Sequence, residues 1–185
     1  MDADPIRERV LDAADALFYQ QGIQAVGMDA IRARAEVSLK RLYQCFPAKE
    51  ALVAAYLRRR DERWITALTD FVENTPATTP RVCAVFDFLA AWFATPGFRG
   101  CAFVNAFGEL GAVSPLAVQA LRSHKERLRT RLVALARRDG VADPESAAAH
   151  LLFLVDGAIV AASAGTVADP AGTAREAALR VVTAG

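Results

Sequence analysis

Between Pro5 and Leu52 the apolar residues of this chain recur at helical spacing and are broken at a few sharp points. Ile6, Val10, Ala13, Ala14, Leu17 and Phe18 fall on one face of a helix that Pro5 opens and Gly22 closes. Ile31 and Ala35 mark the inner side of a second short helix, Met28 to Ala35. A third starts after Ser38, an N-cap residue whose oxygen accepts an otherwise unpaired backbone N–H. Leu42 and Phe46, four apart, form its inner side, and Pro47 stops it. The pattern predicts one amphipathic helix followed by a helix-turn-helix.

The remainder continues in helices. The spacing predicts one from about Ala48 towards Glu73, and Thr75–Pro80 breaks it. Further helices follow over Val82–Ala94, Cys101–Leu110, Ser114-Pro115 to Arg138, Asp143-Pro144 to about Gly165, and Ala171–Thr183. Ala, Leu, Arg and Glu dominate, and 54% of the 185 residues are apolar. An all-α protein with a substantial core follows, divided into 1–50 and 51–185.

Some classes drop out. The N-terminus shows no cationic and apolar leader, and Cys45, Cys83 and Cys101 have no metal-ligand spacing. We expect a cytoplasmic protein with reduced thiols and with no metal or cofactor. The run Ala147–Ala168 resembles a membrane span, but His150 and Asp156 interrupt it. It reads as a buried packing helix.

The third helix carries two faces. Lys40, Arg41 and Gln44 point outward, opposite Leu42 and Phe46. Lys and Arg suit guanine edges in a major groove, Gln suits adenine, and Tyr43 offers a hydroxyl and a ring. Lys49 stands at the next helix start, where an ammonium and free N–H groups suit a phosphate. Residues 32–60 hold eight bases against two acids, a net of +6 in a chain of net +1. A local basic patch suits a surface that meets phosphates; the alternative is a solvated helix face.

The run from Ala13-Ala14 through Phe18, Gly22, Ile31, Val37-Ser38, Leu42-Tyr43, Phe46 and Lys49-Glu-Ala-Leu52 resembles the DNA-binding domain of the tetracycline-repressor (TetR) family. The resemblance implies an N-terminal three-helix DNA-binding domain and a C-terminal helical domain for ligand binding and dimerisation. It places Ser38, Leu39, Lys40, Arg41, Tyr43, Gln44 and Lys49 toward DNA, with contacts near Gly27 and Met28. It implies a ligand-responsive repressor, a homodimer on a palindromic operator in double-stranded DNA, and a small-molecule effector. Helix 4 is the expected lever. Four positions depart from the family pattern: Gly27 for Thr or Ser, Arg32 for Ala, Glu36 for a turn Gly, and Cys45 for His.

Beyond residue 50 the candidates are polar groups on apolar helices. Asp87, Asn105, Glu109, His150 and Asp156 can orient a ligand, while Trp64, Phe86, Trp92, Phe93, Phe103 and Phe107 supply walls. Phe86, Trp92, Cys101, Asn105, Glu109 and Asp156 make the candidate ligand set. The alternative is that Asn105 and Glu109 satisfy loop backbone and the aromatics are plain core. His124 reads as part of a solvated basic face, and Cys83 and Cys101 as core. Small residues at Ala149, Gly157, Ala161, Ala164 and Gly165 suit packing against a second copy. Competing classes are a helical thiol hydrolase using Cys101, His124 and Asp156, and an interaction module that ignores DNA. The first lacks any Gly-rich nucleophile turn.

Overall fold

The computed structural model describes residues 4–183, and among these there are nine α-helices and no strand. They are α1 (Pro5–Gln21), α2 (Met28–Ala35), α3 (Leu39–Cys45), α4 (Lys49–Asn74), α5 (Arg81–Phe93), α6 (Ala102–Leu110), α7 (Pro115–Arg138), α8 (Pro144–Ala164) and α9 (Pro170–Thr183). Their ends follow local chemistry. Asp4 accepts the N–H of Ile6 at 3.0 Å, Ser38 that of Arg41 at 3.2 Å, and Asp143 that of Ser146 at 3.0 Å. Gly22 at φ 90° ends α1, and Gly165 at φ 65° ends α8. Pro80, ahead of α5, gives no side-chain cap. Asp139, just past α7, supplies one instead by accepting the N–H groups of Arg81 and Val82 at 2.8 and 2.9 Å.

The chain forms two compact units. The first holds the residues up to Arg63 together with Cys101–Arg122; the second holds Trp64–Gly100 and the residues from Ser123 onward. The segment 1–50 lies inside the first unit, which also takes the start of α4, α6 and the start of α7. In that unit α1, α2 and α3 pack on one another around Val10, Ala14, Phe18, Ile31, Leu42 and Phe46, all nearly inaccessible to solvent. Burial of Leu42 or Phe46 is worth about 2 kcal/mol each. Tyr56 lies beneath, its ring 5.5 Å edge-on from that of Phe18, and burial pushes its phenol pKa well above the usual value.

In the second unit α9 packs on α5 and α8. Val85, Phe86, Leu89, Leu128, Leu132, Leu151, Val155 and Ala178 are fully buried. The expectation of a buried α8 holds for one face only. Leu151, Val155 and Ile159 point inward, but Phe153 is 73% and Val160 59% exposed. The helix is long and apolar enough to cross a membrane, yet its buried side is spent on α9 and α5. Apolar residues on every side hide from the sequence which face a helix buries.

Candidate nucleic-acid interface

The outer side of α3 carries Leu39, Lys40, Arg41, Tyr43 and Gln44, all exposed, while Leu42 and the C-capping Phe46 hold the helix down. The Arg41 guanidinium donates to Gln44 Oε1 at 3.1 Å, so the two side chains best suited to base edges are aligned with each other. Ser38 is tied to the backbone of Arg41 as the N-cap. Lys49 begins α4 and is partly exposed, its ammonium 5.9 Å from the centre of the Phe18 ring. Gly27 and Met28 open α2, and Gly27 supplies no side-chain cap. The outward set therefore lies within one short stretch on the start of α2, α3 and the start of α4.

Two arginines on α1, which periodicity did not single out, hold the other two helices by their C-terminal carbonyls. Arg7 donates to Cys45 O at 2.8 Å, its guanidinium 4.2 Å from the centre of the Phe46 ring. Arg9 donates to Ala35 O at 2.5 Å and Glu36 O at 3.0 Å. Carbonyls at a helix end carry partial negative charge and lack intrahelical partners, so a cation there is favourable. Each clamp pins the end of one helix of the motif to α1. Glu36 is left-handed at φ 53°, the only non-glycine residue with positive φ among those described. Its N–H reaches Ala33 O at 3.2 Å and that of Val37 reaches Arg32 O at 3.1 Å, the paired bonds of a Schellman end.

The +6 patch read from the linear sequence is partly neutralised in the fold. Arg59 pairs with Glu8 at 3.2 Å and Asp12 at 3.0 Å, Arg60 with Asp15 at 2.8 Å, and Arg32 with Asp29 at 2.8 Å. Arg60 also lies 3.6 Å from the Tyr19 ring centre. Arg59 and Arg60 join α4 to α1, which acidic residues one or two turns apart on α1 make possible. Arg34, Lys40, Arg41, Lys49 and Arg58 have no carboxylate partner among the described residues. The positive surface is thus smaller than its sequence count and concentrated around α3.

The model of the tetR family of bacterial regulatory proteins matches residues 10–56. An uncharacterised HTH-type transcriptional regulator of Mycobacterium tuberculosis is 31% identical over 157 residues, which span 71% of this chain and 76% of that one. The crystal structure of a TetR-family transcriptional regulator from Streptomyces coelicolor superposes with a TM-score of 0.80 at 32% identity, over 97% of this chain and 93% of its own. The chain belongs to the TetR family. It is therefore a DNA-binding transcriptional regulator and not an enzyme. The repressor KstR of Mycolicibacterium smegmatis is 44% identical over 64 residues, 35% of this chain and 31% of its own.

Within this TetR-family chain the four departures have distinct consequences. Gly27 leaves α2 without a side-chain cap. Arg32 is held by Asp29, so its added charge is compensated locally. Glu36 takes the left-handed turn that a glycine would, and its carboxylate lies 3.9 Å from Arg9. Cys45 is half-buried. Burial, and then the Asp4 carboxylate 3.9 Å from its sulfur, push its thiol pKa up, which keeps it protonated at neutral pH.

The candidate ligand set divides between the two units, with Cys101, Asn105 and Glu109 in the first and Phe86, Trp92 and Asp156 in the second. Phe86 is fully buried core of α5. Cys101 is the buried N-cap residue of α6. Asn105 is exposed on α6. Glu109 accepts the backbone N–H of Gln24 at 2.8 Å, and its own carbonyl accepts from the Gln24 amide at 2.5 Å; the reading in which it satisfies loop backbone is the one observed. Asp156 is ion-paired to Lys125. Asp87 pairs with Arg175 at 2.8 Å. His124, expected on a solvated face, is buried with its ring 5.4 Å edge-on from Trp64. Trp92 alone of the set lines a groove of about 900 Å³ in the second unit, between α4 and α5, whose walls also include Trp64 and Asp87, both sequence candidates, with Phe71 and Phe88. Asp70 and Phe71, which sequence reading passed over, follow Trp64 on α4 by six and seven residues, about two helical turns, and line the same groove.

Proposed function

We propose that this TetR-family regulator is a ligand-responsive repressor that binds a palindromic operator as a homodimer in the cytoplasm. The reading assigns residues 1–50 to DNA and residues 51–185 to effector binding and dimerisation. The observation that carries it is α3: Lys40, Arg41, Tyr43 and Gln44 face solvent while Leu42 and Phe46 anchor the helix from behind. A helix anchored on one side and polar on the other can enter a major groove without losing its own support. Ser38, Leu39 and Lys49 with the α2 start at Gly27 and Met28 complete the proposed contact surface.

Dimerisation is supported by the outer face of α8, where Phe153, Gly157, Val160 and Ala164 are all exposed at spacings of three or four, and by exposed Leu179 on α9. An apolar stripe of this kind is buried by pairing with a copy of itself across a two-fold axis, which also sets two recognition helices toward two half-sites. An effector site is supported by the aromatic groove of the second unit. Identity to KstR covers 35% of this chain and 31% of its own, and carries no information on the sign of regulation.

The test is an anisotropy titration of the full chain against DNA from the promoter region of its own gene. Arg41→Ala and Lys49→Ala are each expected to weaken binding roughly ten- to a hundredfold with the helical circular dichroism intact. If about six phosphates are neutralised per complex, the logarithm of affinity falls with that of salt at a slope of about −5. Unchanged affinity in both variants overturns the assignment. Transcription in vitro decides the sign, since a repressor lowers it and an activator raises it.

A further inference from the structure

We infer that the groove between α4 and α5 binds a lipophilic cation, a molecule with an aromatic or alkyl body and one positive charge. The walls come from single faces of two helices. Trp64, Asp70 and Phe71 project from the second half of α4, and Asp87, Phe88 and Trp92 from α5. Its volume of about 900 Å³ lies within the range of small-molecule sites, roughly 300–1,000 Å³. Trp64 packs edge-on against Phe88 at 5.5 Å and Trp92 at 5.8 Å, and Phe71 against Phe88 at 5.8 Å. The rings hold one another in place, so little ordering is left for a ligand to impose.

Charge selects the class of occupant. The lining contains two carboxylates and no Lys, Arg or His. Asp87 is already matched by Arg175 at 2.8 Å. Asp70 is exposed at the groove and has no ion-pair partner among the described residues. An anion meets an unmatched negative charge here. A neutral body covering Asp70 removes its water and returns nothing. A cation answers both Asp70 and the ring quadrupoles, which attract positive charge. The inference deepens the effector reading and rests on it only for what happens at DNA.

The chain has two tryptophans, Trp64 and Trp92, and both line this groove. Intrinsic fluorescence therefore reports on it directly. The experiment titrates the full chain with tetraphenylphosphonium and, separately, with tetraphenylborate, which has nearly the same shape and the opposite charge. Saturable quenching by the phosphonium at an affinity at least tenfold above that of the borate is expected. Asp70→Asn is expected to weaken phosphonium binding roughly tenfold and erase the preference, while Asp70→Glu keeps it. Ala67→Phe, which fills the groove from an exposed position on α4, is expected to remove both signals. Equal affinity for the two probes, or an unaffected Asp70→Asn, overturns the inference. So does a change of oligomeric state in Ala67→Phe by light scattering, which would identify a second copy as the occupant. Operator DNA added to the same titration separates the two proposals. Phosphonium binding that leaves DNA affinity unchanged upholds the site and overturns its role as the effector site.

Discussion

Helix α3 has seven residues and α8 has twenty-one, yet the shorter one is far better specified by its own sequence. In α3 only Leu42 is buried, with Phe46 just beyond it, and its neighbours are charged, amidic or phenolic. Polarity assigns Leu42 to the inside and Lys40, Arg41, Tyr43 and Gln44 to the outside, while Leu39, apolar but 42% exposed, escapes the rule. In α8 the apolar residues run all round, so Leu151 and Val155 at zero exposure cannot be told in advance from Phe153 and Val160, which are exposed. The choice is made by α9 and α5, and that information is tertiary. A face read from local contrast is robust to ignorance of the rest of the fold; a face chosen by partners is not.

The comparison breaks most visibly at Phe153. If its exposure reflects an interface with a second copy, Phe153→Glu places a carboxylate in an apolar seam, a cost of several kcal/mol. A dimer by light scattering in the parent chain and a monomer in the variant are expected, with operator affinity down at least a hundredfold and helix content kept. A variant that stays dimeric and binds normally would leave the outer face of α8 without a role. For α3 the matching experiment removes the anchor. Leu42→Ala opens a cavity beneath the helix and should cost about 3 kcal/mol in urea unfolding. A loss below about 1 kcal/mol would show that the inner face of α3 is less decisive than its burial.

The same contrast explains what sequence reading reached. Helix starts and stops were legible because Ser38, Asp143, Gly22 and Gly165 act on backbone within a few residues of themselves. The left-handed turn at Glu36 was suggested only by the family resemblance, which has a turn glycine there, and not by its own side chain. Partners distant in sequence were not legible. Nothing local to Glu109 announces that its carboxylate meets the N–H of Gln24, and nothing local to Asp139 announces the cap it gives α5. His124 sits in a run of basic residues, but its own position on α7 is turned inward to Trp64. The groove was read only in part: Trp64, Asp87 and Trp92 were candidates, while Asp70, Phe71 and Phe88 were not, because its walls combine two helices and no single helix shows the whole set.

The arginine clamps join the two kinds of information, since the helix ends they serve are local and the clamps themselves are distant. Arg9→Ala removes donors to Ala35 O and Glu36 O, and Arg7→Ala removes one to Cys45 O. Hydrogen bonds from a charged donor are worth about 1.5–3 kcal/mol, and partial exposure lowers that, so each variant should lose about 1–2 kcal/mol. Because the clamps set α2 and α3 against α1, operator affinity should fall by more than the stability loss alone implies. The two effects separate when DNA binding is measured well below the unfolding midpoint. Affinity unchanged there would mean that the buried faces suffice to orient the motif.

The smallest expected effect belongs to Glu36, and it tests whether a local rule survives a distant partner. A left-handed conformation costs a residue with a side chain about 1–2 kcal/mol relative to glycine. Glu36→Gly recovers that, but glycine also loosens the unfolded chain by about 0.4–1 kcal/mol. The 3.9 Å pair with Arg9, both side chains more than half exposed, contributes a few tenths at most. The balance is a gain of about 0.5 kcal/mol in urea unfolding. Operator affinity should hold, because Arg9 bonds to the carbonyl of residue 36 and to that of Ala35, and neither depends on the side chain removed. A loss of stability in Glu36→Gly would mean that the Glu36 carboxylate positions Arg9, and that this turn is set from α1 rather than by its own backbone.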